Sequence, residues 1–288
     1  MQILDQILQD VRQNLARAKQ ENPLPDLQQK IKETPPARSL CDVLAREGFG
    51  LIAEIKACSP SMGTMRPENV SAAPAAYHQS TAVRAFSILT NQTFFGQDLG
   101  YLKKIRQRTD KPILRKDFII DPYQVYEARA AGADALLLMA NILSPKEMKT
   151  LYNLTTDLGM EALCEVHSPE EIQALPENAA LVGINARKFK SENSAETFAR
   201  SRQQDEGHRE DFTIHFDAFS LFPELPSQAF KVAESGMNAG NLCETLRQYP
   251  FDAALVGTSL LQNPQGVAAE LAAFEKAIEK LAKTSPIK

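Results

Sequence analysis

Short apolar runs recur along the chain, and each ends on polar or charged residues at its C-terminal edge. LIAEIK carries Glu54 and Lys56, PILRK ends on Lys116, EALCEV holds Glu165, and LVGINAR delivers Asn185 and Arg187. KVAESG places Glu234, Ser235 and Gly236, and AALVGTS closes on Gly257 and Thr258. Most runs are separated by roughly 20–35 residues, room for one helix and two loops, as between successive parallel strands. The pattern predicts strands near 50–56, 83–90, 112–116, 134–139, 161–166, 180–185, 229–234 and 252–257. Helices are expected over 69–79, 98–108, 122–132, 144–158, 168–175, 239–248 and 264–283. The implied fold class is α/β, a (β/α)8 TIM barrel whose polar strand ends meet at the C-terminal mouth, where such barrels do their chemistry.

Before the first strand, Ile3, Leu4, Ile7, Leu8, Val11 and Leu15 recur at helical spacing and predict an amphipathic helix over 2–20. The stretch from Pro23 to Pro36 reads as a separator before a short helix at about 38–47. Residues 1–48 thus form an N-terminal helical extension of a single barrel domain spanning 1–288. Ser144-Pro145, Ser168-Pro169 and Asp121-Pro122 read as helix starts, with Glu171 placed to complete a capping box on Ser168. About fifty residues separate Asn185 from Ser235, and the strongly polar segment 191–211 within them reads as a surface insertion.

Composition narrows the class. The chain has 288 residues, 43% hydrophobic and 24% charged, enough for a large core. A formal charge of −4 gives no global attraction to nucleic acid or anionic membrane, so an anionic ligand must be held by local groups. The N-terminus lacks the basic and continuous apolar regions of a signal peptide, and no run is long enough to span a bilayer. Four scattered cysteines without metal-like spacing fit a reducing compartment, so the expected location is cytoplasmic.

Glu54 and Lys56 share one strand face, where opposite charges form either a structural ion pair or working groups. Lys116, at a strand end, could be a solvated rim lysine. It could also bind an anion, form a Schiff base, or act as an acid if burial and a cationic neighbour lower its pKa. Glu165 ends a very apolar strand, where desolvation would raise its pKa toward that of a useful base. His167, two residues on, reads as a loop residue. Asn185 and Arg187 offer donors for hydroxyls and a carboxylate. Gly236, Gly257 and Thr258 offer backbone N–H groups, with a short helix starting near Thr258, as in a barrel phosphate site.

Taken together, these segments resemble indole-3-glycerol phosphate synthases over roughly residues 35–285. AEIKACSPS, SILTNQTFFG, LRKDFIIDPYQ, EVHSPEEIQAL, GINAR, VAESGM and LVGTSLL follow in family order. The resemblance implies ring closure of 1-(2-carboxyphenylamino)-1-deoxyribulose 5-phosphate with loss of carbon dioxide and water. It implies Lys116 as general acid, Glu165 as general base, and Lys56 at the substrate carboxylate or the departing hydroxyl. Glu54 and Asn185 would orient these groups, Arg187 and Glu234 would occupy rim or supporting positions, and Ser235 and Ser59 would contact substrate. Phe94, Phe118 and Leu137 would wall the aromatic ring, and Gly236, Gly257 and Thr258 would cradle the phosphate. No cofactor or metal is implied. The expected partner is a small phosphorylated substrate, with no nucleic acid or membrane, and the chain is expected to be a monomer or weak homo-oligomer. One departure is Ala57, where the family usually carries Lys or Arg; Arg66 is the nearest basic substitute. A non-catalytic phosphate-binding paralogue and another phosphate-barrel enzyme, a Schiff-base aldolase or an isomerase, are the alternatives.

Overall fold

The computed structural model describes residues 2–187 and 213–284; the segment 191–211 lies outside them. Eight strands close a parallel barrel: β1 (Gly50–Ile55), β4 (Val83–Leu89), β5 (Ile113–Lys116), β6 (Ala135–Met139), β7 (Glu161–Val166), β8 (Leu181–Asn185), β9 (Phe230–Glu234) and β10 (Ala253–Val256). Each pairs with its neighbour in sequence, and β1 joins β10 to complete the ring. A two-stranded hairpin, β2 (Cys58–Ser59) and β3 (Gly63–Thr64), follows β1.

Strand alternation sorts the side chains. Leu51, Ala53 and Ile55 pack in the layer between barrel and helices, while Ile52 belongs to the cluster inside the barrel. On β7, Ala162, Cys164 and Val166 pack outward and Leu163 inward; on β9, Ala233 packs outward and Val232 inward. Period-two geometry therefore puts Glu54 in register with Ile52, Lys116 with Leu114, Glu165 with Leu163, Asn185 with Leu181 and Glu234 with Val232. Each functional candidate caps a column of apolar residues inside the barrel.

Helices α4 (Pro67–Gln79), α6 (Leu99–Arg106), α7 (Pro122–Ala130), α8 (Pro145–Asp157), α9 (Pro169–Gln173), α10 (Leu242–Gln248) and α12 (Val267–Thr284) lie where the sequence predicts them, with ends shifted by a few residues. Short helices α5 (Gln92–Phe95) and α11 (Thr258–Gln262) sit in loops after β4 and β10, and a 3-10 helix spans Phe216–Glu224. Asp121 and Ser144 each complete a capping box. Ser168 does cap Glu171 N–H, but the Glu171 carboxylate reaches to His167 N–H, so no box closes there.

The extension carries α1 (Ile3–Glu21), α2 (Leu24–Glu33) and α3 (Leu40–Leu44). The proline-containing stretch is thus helical where a separator is expected. Pro23 is the N-cap and Pro25 lies in the first turn, where a missing N–H costs nothing, and Leu27 is buried. Leu4, Ile7 and Val11 bury one face of α1 in the same cluster as Phe95 and Phe118. Each such aliphatic side chain contributes about 1.5–3 kcal/mol on burial. Tyr123 Oη lies 2.7 Å from the carbonyls of Ala18 and Asn22 and its one proton serves either, and Asp10 accepts from Asn91 and Thr93, so α1 is tied to the loops at the mouth.

Candidate active site

A cavity of about 310 Å³ opens at the C-terminal mouth, on the scale of small-ligand pockets, about 300–1,000 Å³. Glu54, Lys56, Ser59, Lys116, Phe118, Leu137, Glu165, Asn185, Arg187, Glu234, Ser235, Gly236, Gly257 and Thr258 all line it. Residues spread over more than two hundred positions converge because each sits at or just beyond an inward-facing strand end.

Phe94 is the exception. It is not among the lining residues, and Phe95 takes the wall position, its ring 6.2 Å from that of Phe118. The two phenylalanines sit on the single turn of α5, where consecutive side chains point about 100° apart, so only one can face the mouth. Ala57 is also absent from the lining; it packs against Gly96, where an added Cβ would come within 2.7 Å of the Ala57 methyl. Arg66 donates to the Gln262 carbonyl and does not line the cavity.

Two charged groups define the floor. Lys56 Nζ lies 2.5 Å from Glu54 Oε1. Lys116 Nζ lies 2.7 Å from Glu165 Oε2 and 3.0 Å from Glu234 Oε2. Glu234 is therefore no rim residue: it is buried and holds the central lysine directly. Its depth depends on a glycine in the facing strand. A Cβ at Gly183 would stand 1.9 Å from Glu234 Oε1, so only glycine leaves room for the carboxylate. Gly257 serves Glu54 likewise, since a Cβ there would meet Glu54 Oε1 at 2.5 Å.

The electrostatics correct two sequence expectations. Burial alone would lower the Lys116 pKa, but Glu165, Glu234 and Glu54 outweigh it and push it above the usual lysine value. Its neighbours are anionic, not cationic. Burial alone would raise Glu165, yet Lys116 and then His167 hold it down at about 2. Glu234 goes the other way. Burial raises it, Lys116 opposes, and the charge on Glu165 adds to the rise, giving about 8. Two buried carboxylates share one ammonium, so the second resists ionisation. The Arg187 guanidinium is held below its ordinary value by burial, against the pull of Glu54.

One oxygen of each carboxylate in this cluster, Glu165 Oε1 and Glu234 Oε1, is buried and accepts no hydrogen bond among the described residues. On the rim, Ser235 has φ +66° and Gly236 φ +78°, a tight turn after β9. A Cβ at Gly236 would meet Ile214 at 2.6 Å. Gly257 precedes α11, whose first residue is Thr258. One residue read as a loop position belongs to the site's surroundings: the His167 ring lies 3.4 Å from Glu165 Oε1. The strand alternation that carries Glu165 inward, continued two residues further, carries His167 to the same side.

Known proteins agree with this architecture. The family model of indole-3-glycerol phosphate synthase matches residues 4–199. An indole-3-glycerol phosphate synthase of Parafrankia sp. (strain EAN1pec) is 39% identical over 262 residues, 89% of each chain. That of Desulforamulus reducens is 37% identical over 262 residues, 90% of this chain and 92% of the relative. Among solved structures, N-(5'-phosphoribosyl)anthranilate isomerase from Pyrococcus furiosus superposes with a TM-score of 0.52 at 14% identity, covering 81% of this chain and all of that one, a likeness of fold alone. With such identity maintained over about nine-tenths of its length, the chain belongs to the indole-3-glycerol phosphate synthase family.

Proposed function

We propose that the mouth closes the indole ring of 1-(2-carboxyphenylamino)-1-deoxyribulose 5-phosphate, with Lys116 as the acid and Glu165 as the base. The observation that carries this reading is the Glu165–Lys116–Glu234 cluster, a lysine held between two buried carboxylates in the lining of the mouth cavity.

The aromatic carbon bearing the carboxylate attacks the ketone carbon, and Lys116 passes a proton to the carbonyl oxygen. The raised pKa keeps Lys116 charged until the step at the cost of acid strength, and the transfer is driven by the strong basicity of the developing alkoxide. Loss of carbon dioxide restores the aromatic ring. The hydroxyl then leaves as water, taking a second proton from Lys56, while Glu165 removes one proton from the ring methylene carbon. Two protons reach oxygen and one leaves carbon, so one proton per turnover is drawn from solvent, replacing the charge lost as carbon dioxide.

The order of events prepares the base. While Lys116 is charged, it holds Glu165 down at about 2 and makes it a weak base. Once Lys116 has given up its proton, that restraint lifts and the buried carboxylate becomes more basic. The acid step thus arms the base step. Glu54 fixes the Lys56 ammonium, and Asn185 Oδ1, which accepts from Arg187 N–H at 2.9 Å, ties the rim to the floor. Phe95, Phe118 and Leu137 wall the aromatic ring, Ser59, Arg187 and Ser235 contact substrate, and Gly236, Gly257 and Thr258 receive the phosphate through backbone N–H groups.

The direct test is a fluorescence assay for indole-3-glycerol phosphate formed from the synthetic substrate. Product formation with stoichiometric carbon dioxide supports the reading. Absence of product, with Lys116 trapped by borohydride on a carbonyl substrate, would replace it with Schiff-base chemistry.

A further inference from the structure

His167 has no part in the chemistry above, yet its surroundings are built. The ring is buried just past β7, with Nε2 3.4 Å from Glu165 Oε1 and Nδ1 3.3 Å from Glu171 Oε2. Its backbone N–H donates to the same Glu171 oxygen at 2.7 Å, which fixes the loop as well as the ring. The charged groups facing it are Glu165 from β7, Glu171 from α9 and Glu234 from β9, with Lys116 beyond the two inner carboxylates.

A neutral imidazole donates from one nitrogen only, so one of these carboxylates would face a lone pair. An imidazolium donates to both. Glu165 Oε1 and His167 Nε2 have no hydrogen-bond partner among the described residues, and at 3.4 Å they face one another as a charge contact. We propose that His167 is a positioning residue for Glu165: its imidazolium, anchored by Glu171, grips Oε1 and fixes the carboxylate through the step in which Lys116 gives up its proton. This rests on Glu165 as the base. At that step Glu165 loses the counter-charge of Lys116, and the imidazolium is the cation still in contact with it. Burial opposes charge on the ring, but the bond to Glu171 and the field of Glu165 outweigh it and hold the pKa above the ordinary histidine value.

The chain contains only four histidines, so ring-nitrogen NMR on 15N-histidine-labelled protein resolves this one, assigned by its loss in His167→Gln. The expected result is imidazolium shifts on both nitrogens at neutral pH, with a midpoint that Glu165→Gln lowers by about one unit, the scale of a single adjacent charge. Glu171→Gln lowers it as well, and identifies the resonance if His167→Gln fails to fold. In turnover, folded His167→Gln should lose about tenfold in kcat with KM within about twofold, the pattern of support lost in the transition state. A neutral His167 whose midpoint ignores Glu165→Gln overturns the proposal, and so does wild-type kcat in folded His167→Gln. The base assignment is read separately, from turnover by Glu165→Gln, whose NMR response depends only on the pairing.

Discussion

Arg115 and Lys116 are neighbours on β5, point to opposite sides of the barrel wall, and are both buried against carboxylates, yet they are finished differently. Arg115 donates to Asp117 Oδ2 from Nη2 at 2.9 Å, to Thr90 Oγ1 from Nε at 3.1 Å and to the Gln124 carbonyl from Nη1 at 3.0 Å, with Glu127 also 3.0 Å away. Neither Arg115 nor Asp117 leaves a buried side-chain atom unpaired. Lys116 also meets two carboxylates, but Glu234 Oε1 has no hydrogen bond among the described residues and Glu165 Oε1 has only the His167 ring at 3.4 Å. The first network is saturated within itself and holds loops together; the second is unsaturated and leaves its charged groups incompletely bonded in the lining of the cavity. Burial and charge alone would not separate the two. The count of unfilled polar atoms does.

Glu165→Gln should have the largest effect on the unsaturated side, since it keeps the shape and removes the base. We expect kcat to fall by about 10²–10⁴, and rapid-quench single turnovers should show either an accumulated ring-closed species or uniform slowing. Wild-type single turnovers would rule out the base role. On the saturated side, Arg115→Met strands Asp117 in a buried network. Removing one partner of a buried pair costs about 3–5 kcal/mol, to be read as a lowered urea midpoint; a change below about 1 kcal/mol would show the network to be dispensable.

A smaller effect sharpens the contrast. Gly183→Ala pushes a methyl into Glu234 Oε1 and must displace that carboxylate from Lys116. The expected loss is about tenfold in kcat, and a partial recovery in Gly183→Ala/Glu234→Asp, whose shorter side chain frees the space, would confirm the cause. A separate readout is the pH dependence of stability. Glu234 is raised to about 8 in the folded chain, while an unfolded glutamate titrates near 4.3. Between these values the folded state binds more protons, so this group's contribution to stability falls as pH rises from about 4.3 to 8. Glu165, lowered to about 2, contributes stability that is present above about 4.3 and lost as pH falls toward 2. Glu234→Gln should therefore flatten the decline between pH 5 and 8 in chemical unfolding, and an unchanged slope would contradict the assignment.

Much of this contrast was legible in the sequence, because period-two alternation and polar strand ends are local signals. Glu54, Lys56, Lys116, Glu165 and Asn185, read by that route, all line the mouth cavity. What it misjudged depends on contacts between distant segments. Of the rim and supporting positions expected for Glu234, its contact with Lys116 fits the supporting one, and only its depth, made by Gly183 on the adjacent strand, was hidden. The low pKa of Glu165 follows from Lys116, forty-nine residues away. Phe95 was missed in favour of Phe94 because the rotation of a single helical turn leaves no periodic trace. Helix α2 was hidden by prolines that mark its start, and His167 was hidden by its place just past the end of β7.

The most direct test of the division between the two faces of β5 is a single-turnover measurement, enzyme in excess, on folded Lys116→Ala and folded Arg115→Met side by side. Lys116→Ala should slow ring closure by about 10²–10⁴ with substrate still bound, while Arg115→Met should close the ring within about threefold of the wild-type rate. Equal slowing in both variants, or a Lys116→Ala enzyme retaining more than about a third of the wild-type rate, would contradict the account.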